Sequence, residues 1–329
     1  MADKIIVVAG PTASGKTGLG IELALQYNGE IVSADSMQIY RGMDIGTAKA
    51  TAEEQGRAPH HMLDVAEPWE DYSVARYVEQ AQQCCREIIL RGRLPIVVGG
   101  TGLYIDSLVS GRDFAPDTDP ELRDALSAEY DRLGGQAMHS RLRELDPERA
   151  DKLHPGDKRR IVRALEIYQI TGLTISEHDR RSRSLPARFE AAAIHLNFKN
   201  RATLYGRIDR RVDIMAEQGL FREVESLLEA GLPPECTAMQ AIGYKEAAQA
   251  LRGEMSREEA LELIKLRSRR YAKRQLTWFN RNPGALHIDW DQAPDFESAR
   301  CFSTEFLHSH GISSVSYTHL RAHETLRHL

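Results

Sequence analysis

Gly10-Pro11-Thr12-Ala13-Ser14-Gly15-Lys16-Thr17 is the stretch on which the reading of this chain turns, because it spells a phosphate-binding loop. Its two glycines let backbone N–H groups turn inward around an anionic oxygen, Lys16 adds a positive charge, and the Thr17 hydroxyl can hold a magnesium ion. Outward from the loop, residues 4–9 form a short apolar run ending at Gly10, as a buried parallel strand would. Residues 17–28 read as a helix, with Gly29 placed to stop it. Strand, loop and helix N-terminus together make an anion site, since the helix dipole favours negative charge at that end. A phosphate or diphosphate is therefore expected here.

The loop names an anion but no reaction. The next expected strand, residues 30–34, ends in Asp35, and a third, residues 94–98, ends in Gly99-Gly100-Thr101-Gly102. Ligands of open parallel sheets bind outside the strands' carboxyl ends, so Asp35 and Thr101 are predicted to converge on whatever the loop holds. One carboxylate and one hydroxyl suit a general base with a hydrogen-bonding helper better than a two-metal phosphoryl-transfer site. Asp35 in Ser-Ala-Asp-Ser could also serve as a turn cap.

The surrounding residues are more specific. The phosphate loop is followed by Ser33-Ala34-Asp35-Ser36-Met37-Gln38-Ile39-Tyr40-Arg41-Gly42-Met43-Asp44-Ile45-Gly46-Thr47-Ala48-Lys49 and Pro59-His60-His61. Val98-Gly99-Gly100-Thr101-Gly102-Leu103-Tyr104 comes next, then His154-Pro155-Gly156-Asp157 running into Arg159-Arg160-Ile161-Val162-Arg163-Ala164-Leu165-Glu166. Ala241-Ile242-Gly243-Tyr244-Lys245-Glu246 and Arg274-Gln275-Leu276-Thr277-Trp278-Phe279 close the series. In this order the series resembles the tRNA dimethylallyltransferase (tRNA isopentenyltransferase) family of bacterial type, over nearly all of the chain to about residue 282.

The resemblance implies transfer of a dimethylallyl group from dimethylallyl diphosphate to N6 of the adenosine 3′ of the anticodon, in tRNAs reading codons that begin with U. Diphosphate is the leaving group, so a phosphate loop with Mg2+ would stabilise the charge developing on it. Asp35 matches the catalytic aspartate that accepts the N6 proton, and Thr101 matches a residue touching tRNA and the reacting groups. Arg207 is taken as a diphosphate ligand in preference to Arg211 in the same stretch. A stacked base cannot reach a carbon held in a phosphate pocket, so the adenine must be turned out of the anticodon loop. The expected gripping surface comprises Asp35, Ser36, Met37, Gln38, Thr101, Arg123, Arg159, Arg160, Ile161, Val162, Arg163, Gln240, Ala241, Ile242, Gly243, Tyr244 and Lys245.

Charge and pattern suit this expectation. The 329 residues carry a net charge of −5, which argues against a wholesale nucleic-acid coat, but RNA binding needs only a local basic stripe. Residues 265–281 hold seven Lys and Arg and no acid, with Tyr271, Trp278 and Phe279 interleaved, and were expected to add phosphate contacts. Lys158, Arg159, Arg160 and Arg163 form a second cluster, and Arg180, Arg181, Arg183 and Arg188 a third. The fold class is α/β: a P-loop NTPase-like core with a parallel sheet flanked by helices, spanning residues 1–115 and 190–310, plus a helical insertion at 116–189 expected to grip tRNA as a lid. In the insertion, residues 121–133, 136–145, 147–153 and 158–170 read as helices, the last capped by Asp157 and closed by Gly172. A strand is expected to resume at 191–198 and another at 286–288.

The remaining signals are weaker. Four cysteines without CxxC spacing point to a reduced cytoplasmic protein, no stretch approaches a membrane span, and a monomer is expected. His60 and His61, being adjacent, face opposite sides and do not make a metal site with Asp64. Residues 314–329 lack periodicity and read as a non-native tail. Two rival readings remain: a P-loop small-molecule or nucleoside kinase, and a nucleic-acid-binding regulator with a vestigial phosphate loop.

Overall fold

The computed structural model describes residues 3–111, 114 and 119–314. Along the chain it runs β1 (Asp3–Ala9), α1 (Lys16–Tyr27), β2 (Gly29–Ser33), α2 (Ala52–Arg57), β3 (His60–His61), α3 (Val74–Leu90), β4 (Leu94–Gly99) and α4 (Gly102–Val109). The insertion contributes α5 (Pro120–Leu133), α6 (Gly135–Leu145), α7 (Pro147–Ala150), α8 (Lys158–Thr171) and α9 (Ile175–Arg183). Then come β5 (Phe189–Phe198), α10 (Arg201–Gln218), α11 (Leu220–Glu229), α12 (Tyr244–Leu251), α13 (Arg257–Phe279), β6 (Leu286–Trp290) and α14 (Phe296–Ser309).

The six strands form one parallel sheet in the order β3-β2-β4-β1-β5-β6. β1 lies inside it, and residues 5–9 are buried without alternation, as a strand covered on both faces requires. Leu19, Ile21 and Leu23 of α1 pack with Ile6, Val8, Ile96, Val98, Ile194 and Leu196 of the sheet. Each such fully buried aliphatic side chain is worth roughly 1.5–3 kcal/mol. The register then places the site: Ala9 pairs with Gly99 and with His195, and Ser33 pairs with Val98. The phosphate loop, Asp35 and Thr101 accordingly leave the sheet from one edge. At that edge Gly99 must be glycine, because a Cβ there would stand 2.2 Å from the Ala34 carbonyl oxygen.

The chain divides into two compact units, residues 1–108 with 189–329, and residues 109–188. The second unit has its own core of Leu126, Met138, Leu142, Ile161, Val162 and Leu165. Asp157 caps α8 by accepting from the Arg160 N–H at 3.3 Å, and Gly172 closes it with an N–H to the Tyr168 carbonyl.

Several boundaries moved. The residue that stops α1 is Asn28, in the left-handed region at φ 49°, while Gly29 opens β2; Asn tolerates that conformation and its N–H bonds the Ala24 carbonyl. The helix expected at 147–153 ends at Ala150, and the last two strands run longer than expected. The two-residue β3 and α14 went unforeseen, the first because it has no apolar run. Ser314 is exposed, and the rest of the suspected tail lies outside the described residues.

Candidate active site

Gly15, at φ 88°, caps α1 without any side-chain hydrogen bond, so the helix N-terminus opens directly into the phosphate loop. Glycine adopts this conformation without strain. Ala13 also has positive φ, at 63°, a cost of about 1 kcal/mol or more for a residue with a Cβ. Its carbonyl is held there by the Arg207 Nε–H at 3.2 Å, while the Arg207 guanidinium lies over the Phe198 ring. Trp290 of β6 donates to the Ser14 carbonyl at 2.8 Å, tying the loop to the far edge of the sheet. The buried Ser14 Oγ has no hydrogen-bond partner in the protein.

The Lys16 ammonium donates to the Pro11 carbonyl at 2.7 Å, closing the loop on itself. Burial and then the neighbouring Arg211 guanidinium push Lys16 down to about 7, against the opposing pull of Asp35. Burial likewise lowers Arg211, again opposed by Asp35. Lys16, Arg211 and Asp35 thus feel one another's charge. Arg207 bonds the loop through the Ala13 carbonyl, and Arg211 lies on the same α10 face, four residues on and one helical turn away.

Asp35 Oδ1 accepts from the Met37 N–H at 2.9 Å, so the carboxylate does serve as a turn cap while facing the cations. Thr101 Oγ1 accepts from the Ser36 N–H at 3.1 Å, and its own N–H reaches the Ala34 carbonyl at 3.1 Å. The two candidate catalytic groups are therefore held by adjacent residues of one turn.

Residues 36–49 are braced from several sides. Gln38 accepts from the Ser33 hydroxyl and donates to the Thr47 and Ala48 carbonyls. Lys49, buried, binds the Tyr40 carbonyl, Asp44 and Asp64. The Glu223 carboxylate of α11 gathers the N–H groups of Asp44, Ile45 and Gly46 at 2.8–3.1 Å and the Tyr244 hydroxyl at 2.5 Å. None of these braces carried a separable sequence signal.

Other expected contact residues divide by exposure. Arg159 and Arg160 are exposed on α8, whereas Arg163 and Arg123 pair with the fully buried Glu166 at 2.9 and 3.2 Å. Ile161 and Val162 face the insertion's own core, which corrects their assignment as contact side chains; the helix turns them away from the basic face. Among residues 240–245, Gln240 and Lys245 are exposed and Ile242 is half-buried, while Ala241, Gly243 and Tyr244 are buried. The basic stretch on α13 is also less free than its sequence suggests. Lys265 and Arg269 pair with Asp213 and Asp209 of α10, and Arg267 pairs with Glu246. Its aromatics are engaged within the protein: Phe279 packs on His195, Trp278 donates to Asp106 at 2.9 Å, and Tyr271 is half-buried beside Thr101. His61 meets Glu30 at 2.6 Å, and Asp64 is engaged with Lys49.

Taken together, a phosphate-loop sequence beside the Asp35 carboxylate at the carboxyl ends of a parallel α/β sheet suits a P-loop transferase class. The IPP transferase family model matches residues 38–282, and the Isopentenyl transferase model matches residues 3–64. The chain is 46% identical over 300 residues to the tRNA dimethylallyltransferase of Thermoanaerobacter sp. (strain X514), covering 91% of this chain and 94% of that one. The crystal structure of the full-length tRNA isopentenylpyrophosphate transferase from Bacillus halodurans superposes with a TM-score of 0.70 at 40% identity, covering 94% of this chain and 98% of that one. A eukaryotic dimethylallyltransferase captured acting on tRNA gives a TM-score of 0.79 at 29% identity, over 96% of this chain and 82% of that one. This chain belongs to the IPP transferase family.

Proposed function

We propose that the chain is a tRNA dimethylallyltransferase, moving the five-carbon group of dimethylallyl diphosphate to N6 of the adenosine 3′ of the anticodon. The observation that carries this is the loop at the N-terminus of α1, where Lys16 donates to the Pro11 carbonyl and Arg207 to the Ala13 carbonyl, and where the charges of Arg211 and Asp35 are felt by Lys16. The cations suit a diphosphate, and the carboxylate suits a proton that must leave a weakly nucleophilic amine.

In the reaction the bond between C1 of the donor and the diphosphate oxygen breaks, and its electron pair departs with the diphosphate. The N6 lone pair forms the new bond to C1. Asp35 takes the N6 proton on the oxygen lone pairs that the Met37 N–H does not occupy. Loop N–H groups, Lys16 and Arg207 hold the leaving group, and Thr101 orients the acceptor edge. Thr17, at the second position of α1, would hold Mg2+ with the donor's own oxygens, which lends charge to the leaving group. The donor set fits: Thr17 offers a hard hydroxyl oxygen at the start of α1, and Mg2+ on a phosphate takes its other ligands from phosphate oxygens and water.

For the RNA, the surface groups are Ser36 to Gln38 with Thr101 near the base, Arg123, Arg159, Arg160 and Arg163 of the insertion, and Gln240 and Lys245. We read the insertion at 116–189 as the part that grips the anticodon stem-loop. No described helix is long and apolar enough to cross a membrane; a cytoplasmic monomer is the working expectation. The kinase alternative has no comparable support.

The test is direct. Incubation with dimethylallyl diphosphate, Mg2+ and undermodified tRNA, followed by nucleoside mass analysis, should show one adenosine gaining the five-carbon group. Phosphoryl transfer from ATP with no prenylated adenosine would overturn the reading.

A further inference from the structure

Donor and acceptor groups are carried by different loops. Residues 10–17 face the leaving group, whereas Asp35 and Thr101 hang from the ends of β2 and β4. Gln275 of α13 stands between them. Its Oε1 accepts from the Thr12 N–H at 3.0 Å, and its Nε2 donates to the Gly100 carbonyl at 2.8 Å. The side chain is buried, and Tyr271 lies one turn earlier on the same helix, where burial raises its pKa against the opposing pull of the nearby Thr101 and Gln275 side chains. The approach is close enough that a Cβ at Gly100 would lie 2.3 Å from Nε2.

We propose that Gln275 is a positioning residue whose amide sets the separation between the donor loop and the Asp35–Thr101 pair. The inference rests on the prenyl-transfer reading above and adds to it a residue that touches no reacting atom. The two ends of the gap are chemically opposite: Thr12 offers a donor and Gly100 an acceptor. A bridging group must accept at one end and donate at the other, which an amide does. A carboxylate of the same length accepts at both ends and faces the Gly100 carbonyl with a charge; a thioether does neither job. Asparagine is one methylene short. Each loop has separate anchors, Trp290 and Arg207 on one side and the Ser36–Thr101 contact on the other, so losing the bridge leaves both binding surfaces folded. What changes is their spacing.

Displacement at C1 needs N6, the carbon and the leaving oxygen in line, and a misplacement of about 1 Å costs on the order of 10²-fold in rate. Gln275→Met, close in volume, should therefore lower kcat about 30- to 100-fold while KM for dimethylallyl diphosphate and for tRNA stays within about threefold. Gln275→Glu keeps the acceptor for Thr12 and should lose kcat similarly, with the donor KM also raised by the added charge. Melting temperature and calorimetric titration with inorganic diphosphate establish that each variant is folded. Turnover of Gln275→Met within threefold of wild type, or a loss confined to KM, would overturn the proposal. Wild-type enzyme that prenylates no tRNA refutes the functional reading instead. In that event the bridge is read by hydrogen exchange: the Thr12 amide should exchange faster in Gln275→Met than in wild type, and equal rates would overturn the bridge.

Discussion

The sheet unit and the helical insertion place their charges in opposite ways. In the insertion, the buried Glu166 and His139 are satisfied from within: Glu166 binds Arg123, Arg163 and the Asp119 N–H, and the His139 Nε2 lies 2.9 and 3.0 Å from the Ala150 and Leu153 carbonyls, while the Ser110 hydroxyl and the Arg149 Nε are buried without a partner. Arg159 and Arg160 are exposed, the latter paired with Asp157 at 3.1 Å. In the sheet unit, Lys16 feels the charges of Arg211 and Asp35 and lies far from its ordinary protonation range, and the Ser14 hydroxyl lacks a partner. Groups left under tension mark the place where a ligand completes the set. Groups paired at home mark a scaffold that presents its surface. On the proposed function, the first unit carries the chemistry and the second the grip.

The sharpest way to break that assignment is Asp35→Ala. Turnover should drop by about 10²- to 10⁴-fold, the range of a positioned acid–base group, with diphosphate and tRNA binding nearly intact. Steady-state kinetics showing more than a third of wild-type rate would remove Asp35 from the mechanism. The counterpart in the insertion is Glu166→Leu. It leaves two half-exposed arginines and the Asp119 N–H without their shared carboxylate, a loss of roughly 2–3 kcal/mol in stability. Thermal unfolding should register it while inorganic diphosphate binding changes less than twofold.

A third measurement uses pH. Lys16 at about 7 is largely neutral in the free enzyme at pH 8 to 9 and must regain a proton to hold diphosphate. Donor affinity should therefore fall as pH rises above 7, by up to about tenfold per unit. Lys16→Met should bind more weakly near pH 7 and show no such slope; an equal slope in both proteins would place the titration elsewhere. The smallest expected effect belongs to the solvent-facing arginines. Arg159→Ala with Arg160→Ala should weaken tRNA binding several-fold and lower the log–log salt slope by about 2, leaving the donor KM unchanged. A salt slope identical to wild type would take α8 off the RNA.

The phosphate loop, Asp35 and Thr101 were legible because each is local: an apolar run, then a turn with distinctive residues, within about a dozen positions. Parallel-sheet geometry then sends every such turn to one edge, so convergence needed no distances. Misreadings came where local pattern met distant partners. The basic run on α13 resembles an RNA stripe, yet Asp209, Asp213 and Glu246 from α10 and α12 neutralise three of its charges. Its aromatics, interleaved in sequence, turn toward the site loops and the sheet. Ile161 and Val162 sit inside a basic motif but on the helix face that builds a core.

By itself, then, the sequence determined the fold class, most of the succession of strands and helices, and the family, and it singled out a candidate anion site and base, since all of these follow from short-range spacing and residue type. The tertiary structure alone decided which charges are free and what braces the catalytic turn. Glu223 reaches Ile45 across 178 positions, and Gln275 reaches Thr12 across 263. A hydrogen bond of that span leaves no periodic trace in the chain, because its two ends meet only after the sheet and the helices over it have packed.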